Sequence, residues 1–131
     1  MLFFARKHPI FGETPLHYAC IENDLRAVKK ILAKGGGVDV PDDGGQTPLI
    51  SASMLGYVDM VELLLQHNAN VQVRDHSWGN TALHYAAENG HVKIIELLLA
   101  AGADKTMPNN NGHTALEMAK STYISMESLL K

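Results

Sequence analysis

Apolar residues recur at helical spacing in three stretches of the chain. Leu25, Val28, Ile31 and Leu32 form the first set, Val58, Val61, Leu64 and Leu65 the second, and Val92, Ile95, Leu98 and Leu99 the third. Steps of three and four residues place each set on one side of an α-helix. A shorter helix is predicted before each of them. Thr14, Thr47 and Thr81 suit its N-cap, because a threonine hydroxyl accepts a first-turn amide. Pro15 and Pro48 follow at the first helical position, where a missing N–H costs nothing. Ala19-Cys20 and Ala86-Ala87 are small, so neighbouring helices can approach closely. Gly56 and Gly90 then read as helix-ending residues in the left-handed conformation. Asn23, at the matching place in the first stretch, tolerates that conformation too.

The helix pairs belong to a longer repeat. Thr14-Pro15-Leu16-His17-Tyr18-Ala19, Thr47-Pro48-Leu49-Ile50-Ser51-Ala52, Thr81-Ala82-Leu83-His84-Tyr85-Ala86 and Thr114-Ala115-Leu116-Glu117-Met118-Ala119 read alike. Their threonines are 47−14 = 33, 81−47 = 34 and 114−81 = 33 residues apart, and Gly12, Gly45, Gly79 and Gly112 each stand two residues ahead. Gly35-Gly36-Gly37, Asn68-Ala69-Asn70 and Gly102-Ala103-Asp104 are turn residues leading into the extended stretch that carries the next of these glycines. Four units of about 33 residues come to about 132, a period typical of stacked repeats. They fill the 131 residues and leave no room for a separate catalytic domain. The expected units are 1–40, 41–73, 74–107 and 108–131, the first and last acting as caps.

The Thr-Pro-Leu-His-x-Ala string, Gly90-His91-Val92 at the start of a second helix, the Leu-Leu-Leu runs and Gly102-Ala103-Asp104 together resemble the ankyrin repeat. The resemblance covers nearly the whole chain. It implies an all-α solenoid of helix–turn–helix units joined by β-hairpin loops, slightly curved, with a concave face. Such units bury their apolar flanks only by stacking. There are departures. Ile50-Ser51 replaces His-Tyr in the second unit, removing the threonine–histidine hydrogen bond there, and Glu117 stands at that place in the fourth. The fourth unit also has no glycine near Tyr123. The stretch from Asp75 to Thr81 is one residue longer than that from Asp42 to Thr47. Leu2, Phe3 and Phe4 are expected to cover the first unit's open edge. The end at Leu129-Leu130-Lys131 fits either a free-standing protein or a segment of a larger one.

Composition narrows the function. The chain is 46% hydrophobic and 19% charged, with a net charge of −3, which argues for a folded domain and against a nucleic-acid partner. No stretch is long enough for a membrane span, and the default compartment is intracellular, cytoplasmic or nuclear. A single cysteine excludes an internal disulfide framework. Charge is uneven. Residues 1–34 carry six basic and three acidic residues, and residues 35–131 five basic and eleven acidic ones, giving +3 and −6. Arg26, Lys29 and Lys30 are read as the solvated outer face of a second helix.

The candidate chemistry reduces mainly to structural roles. His17 and His84 occupy equivalent places two units apart, about 20 Å at ordinary helix spacing, too far to share a metal ion. They are expected to bond the capping threonine and loop backbone. His67, His76, His91 and His113 are read as solvated loop residues. Cys20 is read as a small buried apolar group. Asp42-Asp43 reads as a turn. Gly35-Gly36-Gly37 lacks the Lys-Ser/Thr of a phosphate loop. No cofactor, metal or catalytic group is expected.

The resemblance implies that a partner protein contacts the loop tips and the exposed ends of the first helices. On this chain those are Pro41, Asp43, Gly44 and Gln46; Arg74, His76, Ser77, Trp78 and Asn80; Pro108, Asn110, Asn111 and His113; and the helix ends Met54-Leu55 and Glu88-Asn89. Trp78 is the only tryptophan and sits in a polar loop, and tryptophan is enriched among interface anchors. Met54, Leu55 and Trp78 lie in adjacent units and are expected to form one small apolar patch. The expectation is a protein–protein interaction module, monomeric by default. Two alternatives are a recognition segment of a larger signalling or transcriptional protein and, remotely, a metal-dependent enzyme using the histidines.

Overall fold

The computed structural model describes residues 12–119 and 130–131. It contains the helices α1 (Pro15–Ile21), α2 (Leu25–Ala33), α3 (Pro48–Leu55), α4 (Val58–Gln66), α5 (Ala82–Glu88), α6 (Val92–Ala100) and α7 (Ala115–Met118). The expected cover from Leu2, Phe3 and Phe4, and the turn near Tyr123, lie outside the described residues.

Each first helix begins where the sequence places a threonine. Thr14, Thr47, Thr81 and Thr114 hold extended backbone, with ψ between 165° and 174°, and each side-chain oxygen accepts the amide three residues on. An N-cap of this kind contributes about 1 kcal/mol. His17, His84 and Glu117 complete the box by accepting the threonine's own amide at 3.0, 3.1 and 2.9 Å. Ile50 has no acceptor, so Thr47 caps α3 alone. Between paired helices the backbone turns through Asn23, Gly56 and Gly90, all at positive φ. The amides of Asp24, Tyr57 and His91 then return to the carbonyls of Ala19, Ala52 and Ala86.

The helices form two rows. The inner helices α1, α3, α5 and α7 pack side by side, while α2, α4 and α6 lie behind them and touch one another less extensively. Side-chain size explains the difference. Cys20, Ala52, Ser53, Ala86 and Ala87 on the inner row are fully buried and small. More extensive contact along the inner row fits a stack curved toward α1, α3 and α5, the concave side that the ankyrin resemblance implies. Pro48–Ser53 and Ala82–Ala87 are buried without interruption because α3 and α5 have neighbours on both sides and an outer helix behind.

The outer helices bury a wider stripe than periodicity alone indicates. Met60, Leu63 and Ile94 join Val61, Leu64, Ile95 and Leu98 in the core. Val58, Leu65, Val92 and Leu99 pack against it half-buried. Each outer helix is touched both by its own inner helix and by a neighbouring outer helix, so its buried side is two faces wide. Arg26, Lys29 and Lys30 are exposed on α2, as expected.

The unit loops carry no strand among the described residues. The base of each tip is closed by a backbone bond: Asp42 N–H to the Gln46 carbonyl (2.9 Å), Asp75 to Asn80 (2.8 Å) and Asn109 to His113 (2.8 Å). Successive tips are tied by His76 N–H to the Gly44 carbonyl and Asn110 N–H to the Trp78 carbonyl, both 2.8 Å.

Candidate protein-binding face

The loop tips are held still by a recurrent acceptor. Asp42 Oδ1 accepts the amides of Gly44 and Gln46 at 2.9 Å. Asn109 Oδ1 accepts those of Asn111 and His113 at 2.9 and 3.0 Å. In the longer third loop, Asp75 Oδ1 reaches one residue further, to the amides of Trp78 and Asn80, both at 3.1 Å. The added residue thus leaves the closing bond in place and carries Trp78 outward. Trp78 is 56% exposed.

A groove of about 380 Å³ opens beside that ring, on the inner-helix side between the third and fourth loops. Trp78, Tyr85 and Met118 give it apolar surface, and Glu88 and Asn111 a polar edge. Its floor is a fixed network. Tyr85 donates its hydroxyl to Asp75 Oδ2. Asn109 Nδ2 donates to Asn80 Oδ1 at 2.9 Å and to the Met118 sulfur at 3.6 Å. Burial pushes the Tyr85 phenol up to about 12, helped by the Asp75 carboxylate and opposed by the Asn80 and Gln46 side chains. The phenol therefore stays protonated and keeps donating.

The expected contact residues separate into two groups. Trp78, Asn80, Glu88 and Asn111 line the groove; Asn80 is only 3% exposed and serves as floor, not as a projecting tip. The others do not line it. Arg74, although exposed, is a strap: its Nε donates to the Gly79 carbonyl and its Nη2 to the Pro108 carbonyl, both at 3.0 Å. Asp43, His76 and Asn110 sit over the glycine of the preceding loop. Gly45 has φ +76°, and a Cβ there would stand 2.5 Å from His76 Cδ2. Gly79, at φ +66°, would meet the Asn110 amide in the same way. Glycine is required at both by conformation and by closeness. Gln46 and His113 give their carbonyls to His17 and His84 Nε2, each at 3.0 Å. Pro41 and Asn89 are exposed. Leu55 is exposed and Met54 half-buried, and neither lines the groove that Trp78 borders.

The histidines divide differently from expectation. His17 and His84 are buried and bridge threonine cap to next loop, as the sequence indicates. Burial holds the His84 imidazole below its ordinary value despite its backbone bonds. His91 is not a solvated loop residue: its Nε2 donates to the Met54 carbonyl at 3.1 Å, with its ring against Gly56. Cys20 is fully buried, which pushes its thiol up to about 12 and leaves no nucleophilic thiolate near neutral pH. Among the described residues no three His, Cys, Asp or Glu side chains converge as metal ligands.

Sequence reasoning missed Tyr85 and Met118 as groove walls and Asn109 as its floor. Asn109 carries the clearest sequence signal of these, since it falls 34 residues after Asp75, which itself falls 33 after Asp42.

Stacked helix pairs with a capped first helix, a left-handed turn and glycine-anchored loops define a helical repeat solenoid. The family profile described as ankyrin repeats (3 copies) matches residues 2–75, and a second, ankyrin repeats (many copies), matches residues 64–119. The chain belongs to the ankyrin repeat family. Among curated proteins it is 36% identical over 125 residues to a Danio rerio protein named as a palmitoyltransferase, ZDHHC13, covering 92% of this chain and 19% of that protein. It is 35% identical over 116 residues to the E3 ubiquitin-protein ligase XBAT33 of Arabidopsis thaliana (87% of this chain, 23% of the other). It is 37% identical over 114 residues to the B-cell lymphoma 3 protein homolog of Mus musculus (86% and 25%). The chain thus spans a quarter or less of these relatives. Ankyrin repeats are protein-interaction modules, and no helix among the described residues is long and apolar enough to cross a membrane.

Proposed function

We propose that the chain recognises another protein through its concave side, with the groove beside Trp78 as the centre of contact. The observation that carries this reading is Trp78, 56% exposed on a loop whose Trp78 and Asn80 amides are tied to the Asp75 carboxylate. A rigid platform loses little ordering entropy when a partner docks, and large aromatic side chains dominate interface energetics. Glu88, Asn80 and Asn111 supply polar contacts around the ring. Pro41, Asp43, Gln46, Met54, Leu55, Arg74, His76, Asn89, Asn110 and His113 extend the surface along the loop tips and helix ends. The module acts as a monomer inside the cell, in cytoplasm or nucleus, with no nucleic-acid partner and no catalysis of its own. The net charge of −3 and the protonated, buried Cys20 support that reading.

A second reading is favoured by the lengths of the relatives. Proteins named as a ligase and a palmitoyltransferase carry matching repeats in a fifth to a quarter of their chains. On that reading the repeats recognise a substrate or regulator for chemistry done elsewhere in a longer protein.

Affinity capture with immobilised wild type and Trp78→Ala tests the first reading. Proteins retained by the wild type and lost with the variant support it. Equal recovery by both, with the variant folded by circular dichroism, overturns it.

A further inference from the structure

We infer that the groove beside Trp78 receives an arginine side chain of the partner protein, an inference that rests on the protein-binding reading above. Three observations converge. First, the groove presents an indole ring, Trp78, and a phenol ring, Tyr85. Cations are attracted to such faces, and a planar guanidinium also stacks on them. Second, among the described residues the one formal charge lining the groove is the Glu88 carboxylate, and no lysine, arginine or histidine lines it. Glu88 is half-buried and carries no hydrogen bond or ion pair among the described residues. Third, residues 35–131, which build the groove, carry a net −6. The nearby Arg74 does not compete, because its Nε and Nη2 are committed to loop carbonyls.

Other side chains fit less well. A carboxylate would meet Glu88 with like charge, and an apolar group would cover that carboxylate without pairing it. A lysine would satisfy the charge but offers no flat face to the indole. Guanidinium alone combines stacking with a forked bond to a carboxylate. The groove, at about 380 Å³, has room for such a side chain with part of its backbone.

The test uses the chain's only tryptophan as reporter. Glycine pentapeptides with blocked ends and a central arginine, citrulline, lysine or glutamate are titrated while Trp78 fluorescence and its indole N–H resonance are followed. The arginine peptide is expected to saturate with a Kd of about 1 mM. Citrulline, the same shape without charge, should bind about tenfold more weakly, and lysine about threefold. Glu88→Gln should weaken the arginine peptide about fivefold. The inference is overturned by an arginine peptide that fails to saturate, by citrulline or lysine binding as well as arginine, or by Glu88→Gln binding unchanged. The two readings fail separately. A partner retained through Trp78 by a protein that ignores the arginine peptide sinks only this inference, whereas loss of Trp78-dependent capture sinks the interaction reading itself.

Discussion

Replacing Asp75 probes the device that sets Trp78 in place. The carboxylate is 4% exposed and accepts three donors: the amides of Trp78 and Asn80 and the hydroxyl of Tyr85. Asp75→Ala removes all three acceptors at once. The Trp78 amide lies at an exposed residue, where water can replace the lost bond. The Asn80 amide and the Tyr85 hydroxyl belong to residues only 3% and 8% exposed, and they are left unpaired. Each orphaned buried donor costs about 1–3 kcal/mol, so the loss should be about 3 kcal/mol in total. For a domain of this size that lowers Tm by about 12 °C. Asp75→Asn should behave differently. Its remaining oxygen still accepts both amides, and its NH2 can donate to the phenol oxygen while the phenol proton turns toward the open groove. Asn109 already fills the equivalent place with an amide. The expected cost of Asp75→Asn is below about 1 kcal/mol. Tyr85→Phe should cost about 1 kcal/mol alone, and less when Asp75 is already alanine, because the orphaned hydroxyl is gone. Urea unfolding followed by circular dichroism, with Trp78 fluorescence in parallel, measures all four variants. The reasoning fails if Asp75→Ala unfolds at the wild-type midpoint, or if asparagine proves as damaging as alanine.

Three further outcomes are expected. Leu98→Ala, at a fully buried site on α6, should destabilise by about 2–5 kcal/mol through the cavity it leaves; an unchanged unfolding midpoint would remove that residue from the core. Ser53→Ala should raise stability by about 1 kcal/mol, since the Ser53 hydroxyl is buried without a hydrogen-bond partner among the described residues and Cys20 and Ala87 fill the same place in the neighbouring units; a lower Tm would show that the hydroxyl is satisfied. His84 binds its proton below the ordinary 6.5 when folded. As pH falls below about 6.5 the unfolded chain takes up a proton that the folded chain refuses, so stability declines over that window. His84→Gln keeps a box acceptor at that position and should flatten the decline; an identical pH profile in both proteins would place its cause elsewhere.

Much of the fold is legible in the sequence because the repeat states each local rule several times. Thr14, Thr47, Thr81 and Thr114 mark helix starts, and Asn23, Gly56 and Gly90 mark the turns, since each residue type satisfies a local backbone demand. What depends on the neighbouring unit is harder to read. Met60 and Ile94 are buried only once the units stack, so single-helix periodicity passes over them. Arg74 looks like a free charge until the Pro108 carbonyl, 34 residues on, is brought beside it. His91 looks like a loop residue until the stack sets it under the Met54 carbonyl. For the binding face, the exposure of Trp78 and the polar edge at Glu88 follow from the loop and helix-end pattern. Tyr85 joins them within its own unit through its bond to Asp75, and Asn109 and Met118 only through contacts between units.

The claim that the concave side carries recognition is tested most directly by the affinity of a captured partner for two variants. Trp78→Ala alters the groove, and Lys93→Ala alters an exposed residue on the outer helix α6. Calorimetric titration should show at least about a tenfold loss for Trp78→Ala and wild-type affinity for Lys93→Ala. The reverse ranking would place recognition on the outer helices and contradict the account.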